Sequence, residues 1–147
     1  MMRGGLTSHE ENGAGMIHGI GVDATEIARI AKALENPRFL PRIFTPAESL
    51  SVGDGPEAVR RWAARFAAKE ALIKACGGIR GSRWTDIEIV RQEHHEPLVR
   101  VKGPLGVWLQ ERQLHIWMSF THERLYAIAM VVLEKREDYA SQPDMER

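Results

Sequence analysis

The segment RFAAKEALIKA, residues 65–75, constrains this chain more than any other. Its four alanines, with no glycine or proline, give it high helix propensity. Placed at about 100° per residue, Ala63, Phe66, Ala67, Ala71 and Ile73 share one side. Glu70 and Lys74 fall in the middle of that same side. Arg61, Arg65 and Lys69 lie on the opposite side or its edge, where a solvated helix carries its charge. Glutamate and lysine at i and i+4, in that order, make a favourable ion pair on an exposed helix. On an apolar face the pair bears a desolvation penalty that it often fails to recover. A metal ion or a phosphate is a better reason to keep both charges there.

The rest of the chain frames this helix. Residues 17–22, IHGIGV, read as a short strand. DATEIARIAKALEN follows with helical periodicity, Ile27, Ile30 and Leu34 forming its apolar stripe. TPAE at 45–48 carries three helix-start signals: Thr45 as N-cap, Pro46 at the first helical position and Glu48 closing a capping box. The long helix is expected from about Pro56 to Cys76, stopped by Gly77-Gly78. DIEIV (86–90) and PLVRV (97–101) alternate with period two and read as a hairpin. A short helix at 104–113 and a second strand pair, HIWMSF (115–120) and YAIAMVVL (126–133), complete the order β-α-α-β-β-α-β-β. Antiparallel pairs with helices between them indicate an α+β domain.

With 147 residues the chain suits one domain. Residues 1–15 are expected to be a disordered leader, 16–134 a single domain, and 135–147 a disordered polar tail. No apolar run is long enough for a membrane span. One cysteine, Cys76, excludes an internal disulfide and fits a reducing, cytoplasmic setting. Net charge is zero, but residues 1–15 and 137–147 hold two of the twenty basic and six of the twenty acidic residues. The body between them is mildly basic, which suits an acidic partner or a phosphorylated ligand and does not by itself suggest nucleic acid.

Asp23 ends the first expected strand. With Glu26 three residues on, it reads as a helix cap, and a carboxylate at a strand end is also a common metal-ligand position. Mg²⁺ takes one or two carboxylates plus phosphate oxygens and waters, a set that Asp23 and Glu70 could supply if the fold joins them. Arg65 and Lys69 read as solvated unless they reach an anion. His122 sits in an expected turn, and His94-His95 in another without metal-ligand spacing. The glycines make no phosphate loop, since neither G-x-x-x-x-G-K-[ST] nor G-x-G-x-x-G is present.

GIGVDATEIARI, FTPAE, RFAAKEALIKA, WTDIEI and SFTHERLYAIAMVV occur in this order. Together, over about residues 16–134, they resemble the holo-acyl-carrier-protein synthases, the short 4′-phosphopantetheinyl transferases. The resemblance implies that family's fold, an antiparallel sheet with a long helix packed on it. It implies Mg²⁺-dependent transfer of phosphopantetheine from coenzyme A to a serine of an acyl carrier protein, as in fatty acid biosynthesis. By resemblance, Asp23 and Glu70 hold the metal and Lys74 acts near the transferred phosphate. Arg65 and Lys69 lie near the coenzyme A phosphates. The region holding Ser119, Thr121 and His122 lines the nucleotide site from a neighbouring subunit of a homotrimer. Two other readings use the same residues: a Mg²⁺-dependent phosphohydrolase and a non-catalytic nucleotide-binding module. Arg29, Lys32, Arg38 and Arg42 fall within fourteen residues that contain one acid, Glu35. They are expected to dock the acidic carrier protein.

Overall fold

The computed structural model describes residues 15–91 and 95–136. Among the described residues, ten α-helices and strands follow one another: β1 (Met16–Glu26), α1 (Ile27–Ala33), α2 (Phe39–Ile43), α3 (Pro46–Val52), α4 (Ala58–Ala75), β2 (Ile87–Val90), β3 (Leu98–Val101), α5 (Gly103–Glu111), β4 (Leu114–His122) and β5 (Tyr126–Lys135), with a 3₁₀ turn at Trp84–Asp86 between α4 and β2. β1, β5 and β4 form one antiparallel sheet in that order, and β2 and β3 form a separate hairpin. The α+β expectation is borne out, with α4 lying across the three-stranded sheet. α2 is an addition that the sequence reading did not contain. β5 runs to Lys135, one residue into the expected tail. The leader, apart from Gly15, and the tail beyond Arg136 lie outside the described residues, as does His94.

β1 is longer than expected and takes in Asp23 through Glu26. The helix cap read at Asp23 is therefore corrected. Every residue from Gly19 to Glu26 pairs with β5, down to Glu26 opposite Tyr126. A ten-residue partner strand outcompetes a local cap worth about 1 kcal/mol. α1 starts instead at Ile27, whose amide donates to the Leu125 carbonyl at 2.9 Å.

The two-residue period of β1 decides what meets the helix. Ile20, Val22 and Ala24 face outward and are exposed, while Gly21 and Thr25 are buried and Gly19 and Asp23 half-buried on the inner side. A Cβ on Gly19 would come within 2.2 Å of the Ala75 carbonyl oxygen, and one on Gly21 within 1.8 Å of the Ala71 oxygen. Only glycine lets strand and helix backbones touch in this way. On the helix side Ala63, Ala67 and Ala71 are fully buried. The next inner positions after the two glycines are Asp23 and Thr25, and the close approach aims Asp23 at the last turns of α4.

The opposite side of α4 is not solvated. A second layer made by α2, α3 and the hairpin covers it. Phe66 stacks on Trp84 with ring centres 5.5 Å apart, and Trp62 meets Phe44 at 4.5 Å. Arg65 is 3% exposed and Lys69 0%. The expectation that both charges belong to a solvated face is thus overturned: the helix is central and buried nearly all round.

The start of α3 and the end of α4 follow their signals. Thr45 and Glu48 form the reciprocal capping box, with Glu48 N to Thr45 Oγ1 at 3.2 Å and Thr45 N to Glu48 Oε1 at 3.0 Å. α4 ends in a Schellman motif: Gly78 N donates to the Ile73 carbonyl and Gly77 N to that of Lys74. Gly77 has φ +74°, which the motif requires and glycine supplies without strain.

Candidate active site

Asp23 projects from β1 toward the C-terminal half of α4. Lys74 Nζ donates to Asp23 Oδ1 at 3.0 Å and to the Val22 carbonyl at 3.1 Å. The Thr25 hydroxyl donates to Asp23 Oδ2 at 2.5 Å. Among the ion pairs of the described residues, Lys74 pairs with Asp23 and not with its i−4 neighbour Glu70. Glu70 is half-buried on the same side of the helix. Burial pushes its carboxyl above the ordinary range, and the negative charge of Asp23 adds to the effect, while Lys74 and Arg29 oppose it. Asp23, Glu70 and Lys74 therefore converge at one partly open spot, with two acids near enough to repel.

That donor set fits a hard cation. Two carboxylates in a solvent-reachable position match a Mg²⁺ ion that takes its remaining ligands from phosphate and water. Among the described residues no group of three His, Cys, Asp or Glu side chains converges, so protein alone would not enclose the ion.

A second polar feature lies at the other end of α4. Ser51, Arg61, Arg65, Arg91, Phe120 and His122 line a cleft of about 500 Å³. Arg65 donates to Ser51 Oγ at 3.0 Å and to the Arg61 carbonyl at 3.3 Å, and its buried Nε has no hydrogen-bond partner among the described residues. Its pKa falls to about 10, chiefly through burial and then through Arg91 and Arg61, against the attraction of Glu48. Crowded, incompletely satisfied cations of this kind suit an anion. His122 is at the end of β4 and not in a turn. Ser119 borders a neighbouring cleft with Arg91 and His95.

Register separates the remaining candidates. Ser119 pairs with Met130 and Thr121 with Ile128, all four exposed on the outer face of the sheet. Asp23 faces inward in the row of Ala129 and Phe120. Ser119 and Thr121 are therefore not brought to Asp23, Glu70 and Lys74 within one chain. Arg29, Lys32, Arg38 and Arg42 are all exposed, and α1 buries Ile30 beneath them.

A family model described as the 4′-phosphopantetheinyl transferase superfamily matches residues 19–131. The chain belongs to that superfamily. A holo-[acyl-carrier-protein] synthase of Clavibacter michiganensis subsp. michiganensis is 47% identical over 122 residues, spanning 81% of this chain and 97% of the relative. One from Myxococcus xanthus is 40% identical over 125 residues, spanning 83% and 98%. The crystal structure of a holo-[acyl-carrier-protein] synthase from Neisseria meningitidis matches with TM-score 0.73 at 36% identity, covering 82% of this chain and 100% of that one. A Bacillus anthracis holo-(acyl-carrier-protein) synthase in complex with CoA (3′,5′-ADP) matches with TM-score 0.68 at 32% identity, covering 83% and 99%. The expected family, fold and transferase class are all borne out.

Within this phosphopantetheinyl transferase fold, Lys69 sits elsewhere than the resemblance implied. Its Nζ is buried and bonded to Glu48 Oε1 at 2.6 Å, the Ile43 carbonyl at 2.7 Å and the Trp84 carbonyl at 3.4 Å. The three donors of an ammonium are thereby engaged. Burial lowers its pKa, against the pull of Glu48. Lys69 holds layers together with all three donors turned to protein oxygens. Sequence reasoning also missed Gly19, Gly21 and Thr25 as parts of the site. The spacing G-x-G-x-D-x-T was the available signal, a period-two face with no side chain where a helix must approach. Arg91 had none, since it lies in a loop and reaches the cleft only through the fold. Among the described residues, no helix is long and apolar enough to cross a membrane.

Proposed function

We propose that the chain transfers the 4′-phosphopantetheine group of coenzyme A to a serine of an apo acyl carrier protein in the cytoplasm, with Mg²⁺. The convergence of Asp23, Glu70 and Lys74 at the glycine-lined contact of β1 and α4 carries this reading. The serine oxygen attacks the phosphorus that bears the pantetheine. The bond from that phosphorus to the bridging oxygen breaks, and adenosine 3′,5′-bisphosphate leaves. Phosphoryl transfer of this kind depends on positioning and charge neutralisation more than on covalent catalysis. Asp23 and Glu70 would hold the Mg²⁺, which when bound supplies positive charge to the pyrophosphate. Glu70 accepts the serine proton, directly or through a water. Lys74, half exposed and tethered among the described residues to Asp23 and a carbonyl, can turn to the leaving phosphate.

The Arg65 cleft supports a site shared between subunits. Lys74 follows Arg65 by nine residues, which is half a turn beyond two full turns and about 13.5 Å along the axis. Within one chain, Arg65 and Lys74 therefore point to opposite sides of α4. The outer face of the sheet exposes Ile20, Val22, Trp117, Ile128 and Met130 together. Apolar area of this extent is ordinarily covered. In a homotrimer, a second copy covering it brings Ser119 and Thr121, together with the Arg65–His122 cleft, to the nucleotide held at the first copy's Asp23.

Mass spectrometry of an apo carrier protein, incubated with the chain, coenzyme A and Mg²⁺, is expected to show the gain of one phosphopantetheine. Breakdown of coenzyme A without any carrier protein would favour a phosphohydrolase instead. Sedimentation should show a trimer, and a fully active monomer contradicts the shared site.

A further inference from the structure

Asp23 has two carboxylate oxygens with different partners. Oδ1 meets Lys74 at 3.0 Å on the open side, where the Lys74 side chain is 52% exposed. Oδ2 accepts a short hydrogen bond, 2.5 Å, from the Thr25 hydroxyl. Thr25 itself is 2% exposed, in the inner row with Ala127 and His122. Its hydroxyl makes no other side-chain hydrogen bond recorded among the described residues. The torsion that orients a carboxylate is broad and two-fold, so it does not fix the plane of the group by itself. Lys74 is long and mostly exposed, and a ligand that draws it away leaves Thr25 as the remaining restraint.

We propose that Thr25 is the positioning residue of Asp23: its buried hydroxyl anchors Oδ2 and so presents Oδ1 to the ligand side. This rests on the reading of Asp23 as a metal-holding carboxylate. Groups that orient a ligating side chain from behind typically contribute 10- to 100-fold to metal affinity. Valine at this position keeps the shape and strand preference of threonine and removes only the hydroxyl. Serine keeps the hydroxyl and loses a methyl.

Mn²⁺ titrated into the full chain with saturating coenzyme A, with bound metal counted by electron paramagnetic resonance, reads the effect directly. Thr25→Val is expected to weaken Mn²⁺ binding about tenfold and to raise KM for Mg²⁺ in carrier modification by a similar factor, with KM for coenzyme A changed less than about twofold. Thr25→Ser is expected to restore most of both. Asp23→Asn is the reference. Wild-type binding in Thr25→Val, while Asp23→Asn loses it, overturns the role of Thr25 and leaves Asp23 in place. Equal defects in the valine and serine variants also overturn it, because packing and not the hydroxyl then matters. Mn²⁺ binding indifferent to Asp23→Asn removes the metal reading and this inference with it.

Discussion

Helix α4 carries two lysine–carboxylate pairs five residues apart, and they behave as opposites. Lys69 and Glu48 meet at 2.6 Å with both side chains fully buried. Glu48 Oε2 also receives the Ile89 amide at 3.1 Å, while Oε1 closes the capping box of α3. Both charges of the pair are matched, and four elements, α2, α3, α4 and β2, are tied by one cluster. Lys74 and Asp23 meet at 3.0 Å with side-chain exposures of 52% and 14%, beside a Glu70 that has no ion pair of its own among the described residues. The first cluster is complete without a ligand. The second is two acids and one base at a solvent-reached seam. Burial alone therefore does not mark function; an imbalance of charge at a partly open place does.

The buried cluster is where a single change is expected to do most. Glu48→Ala leaves the Lys69 ammonium without its ion-pair partner, and breaking a buried pair in this way costs about 3–5 kcal/mol. That is a large part of a typical domain's stability. Chemical denaturation should register the loss, with activity failing only as the protein unfolds. A Glu48→Ala protein as stable as wild type would mean that the cluster is not a fastening.

The open cluster should show the reverse. Asp23→Ala is expected to lower carrier modification at least a hundredfold, the scale seen when a preorganised charge is removed from an active site. Its midpoint of thermal unfolding should fall less than that of Glu48→Ala, because the side chain removed lies at a seam that water reaches and its loss orphans only the Thr25 hydroxyl. Near-normal turnover in this variant would erase the contrast between the two clusters.

Much of this was legible in the residues. RFAAKEALIKA with its charges on an alanine face announced a helix that meets something polar, and TPAE announced the start of α3. The local signals were strong and nothing overrode them. What was not legible came from partners distant in sequence. Asp23 looked like a cap because DATE has cap spacing, and only pairing with β5 makes it a strand residue. Lys69 looked solvated because a helix of this amphipathicity usually has one wet side. Phe44 and Trp84, from two segments outside α4, cover that side by packing on Trp62 and Phe66 of the helix itself. A helical wheel cannot tell that both sides of α4 will be roofed.

The exposed basic residues of α1 and α2 extend the contrast to charges that are not buried and form no ion pair among the described residues. Arg29 acts on the Glu70 carboxyl, so a change there mixes docking with chemistry. Lys32, one turn further along α1 and exposed, is the cleaner probe. Lys32→Glu is expected to raise KM for the carrier protein about fivefold, with KM for coenzyme A unchanged, since charges at an encounter surface act on association. The effect should fade with added salt, as the screening length falls to about 8 Å at 0.15 M ionic strength. Equal shifts in both constants, or none, would place the docking surface elsewhere.

The smallest expected effect concerns Glu70 itself, in protein freed of metal and ligand by a chelator. Its carboxyl is raised above the ordinary 4.5, first by burial and then by Asp23. A group raised in this way binds its proton more tightly folded than unfolded. Below the unfolded value the carboxyl is neutral in both states and there is no penalty. As pH rises through the folded value the penalty grows, and above it the full burden of an ionised Glu70 beside Asp23 is carried. Glu70→Gln removes that burden and keeps the shape. The variant should therefore unfold at a slightly higher temperature than wild type at pH 8, while losing most of its activity. The difference should vanish below about pH 4, where the wild-type carboxyl is protonated in both states. A Glu70→Gln protein less stable than wild type at pH 8 would mean that Lys74 and Arg29 outweigh burial and Asp23. Glu70 would then belong with the balanced pair at Lys69 and Glu48, not with the seam held ready for a ligand.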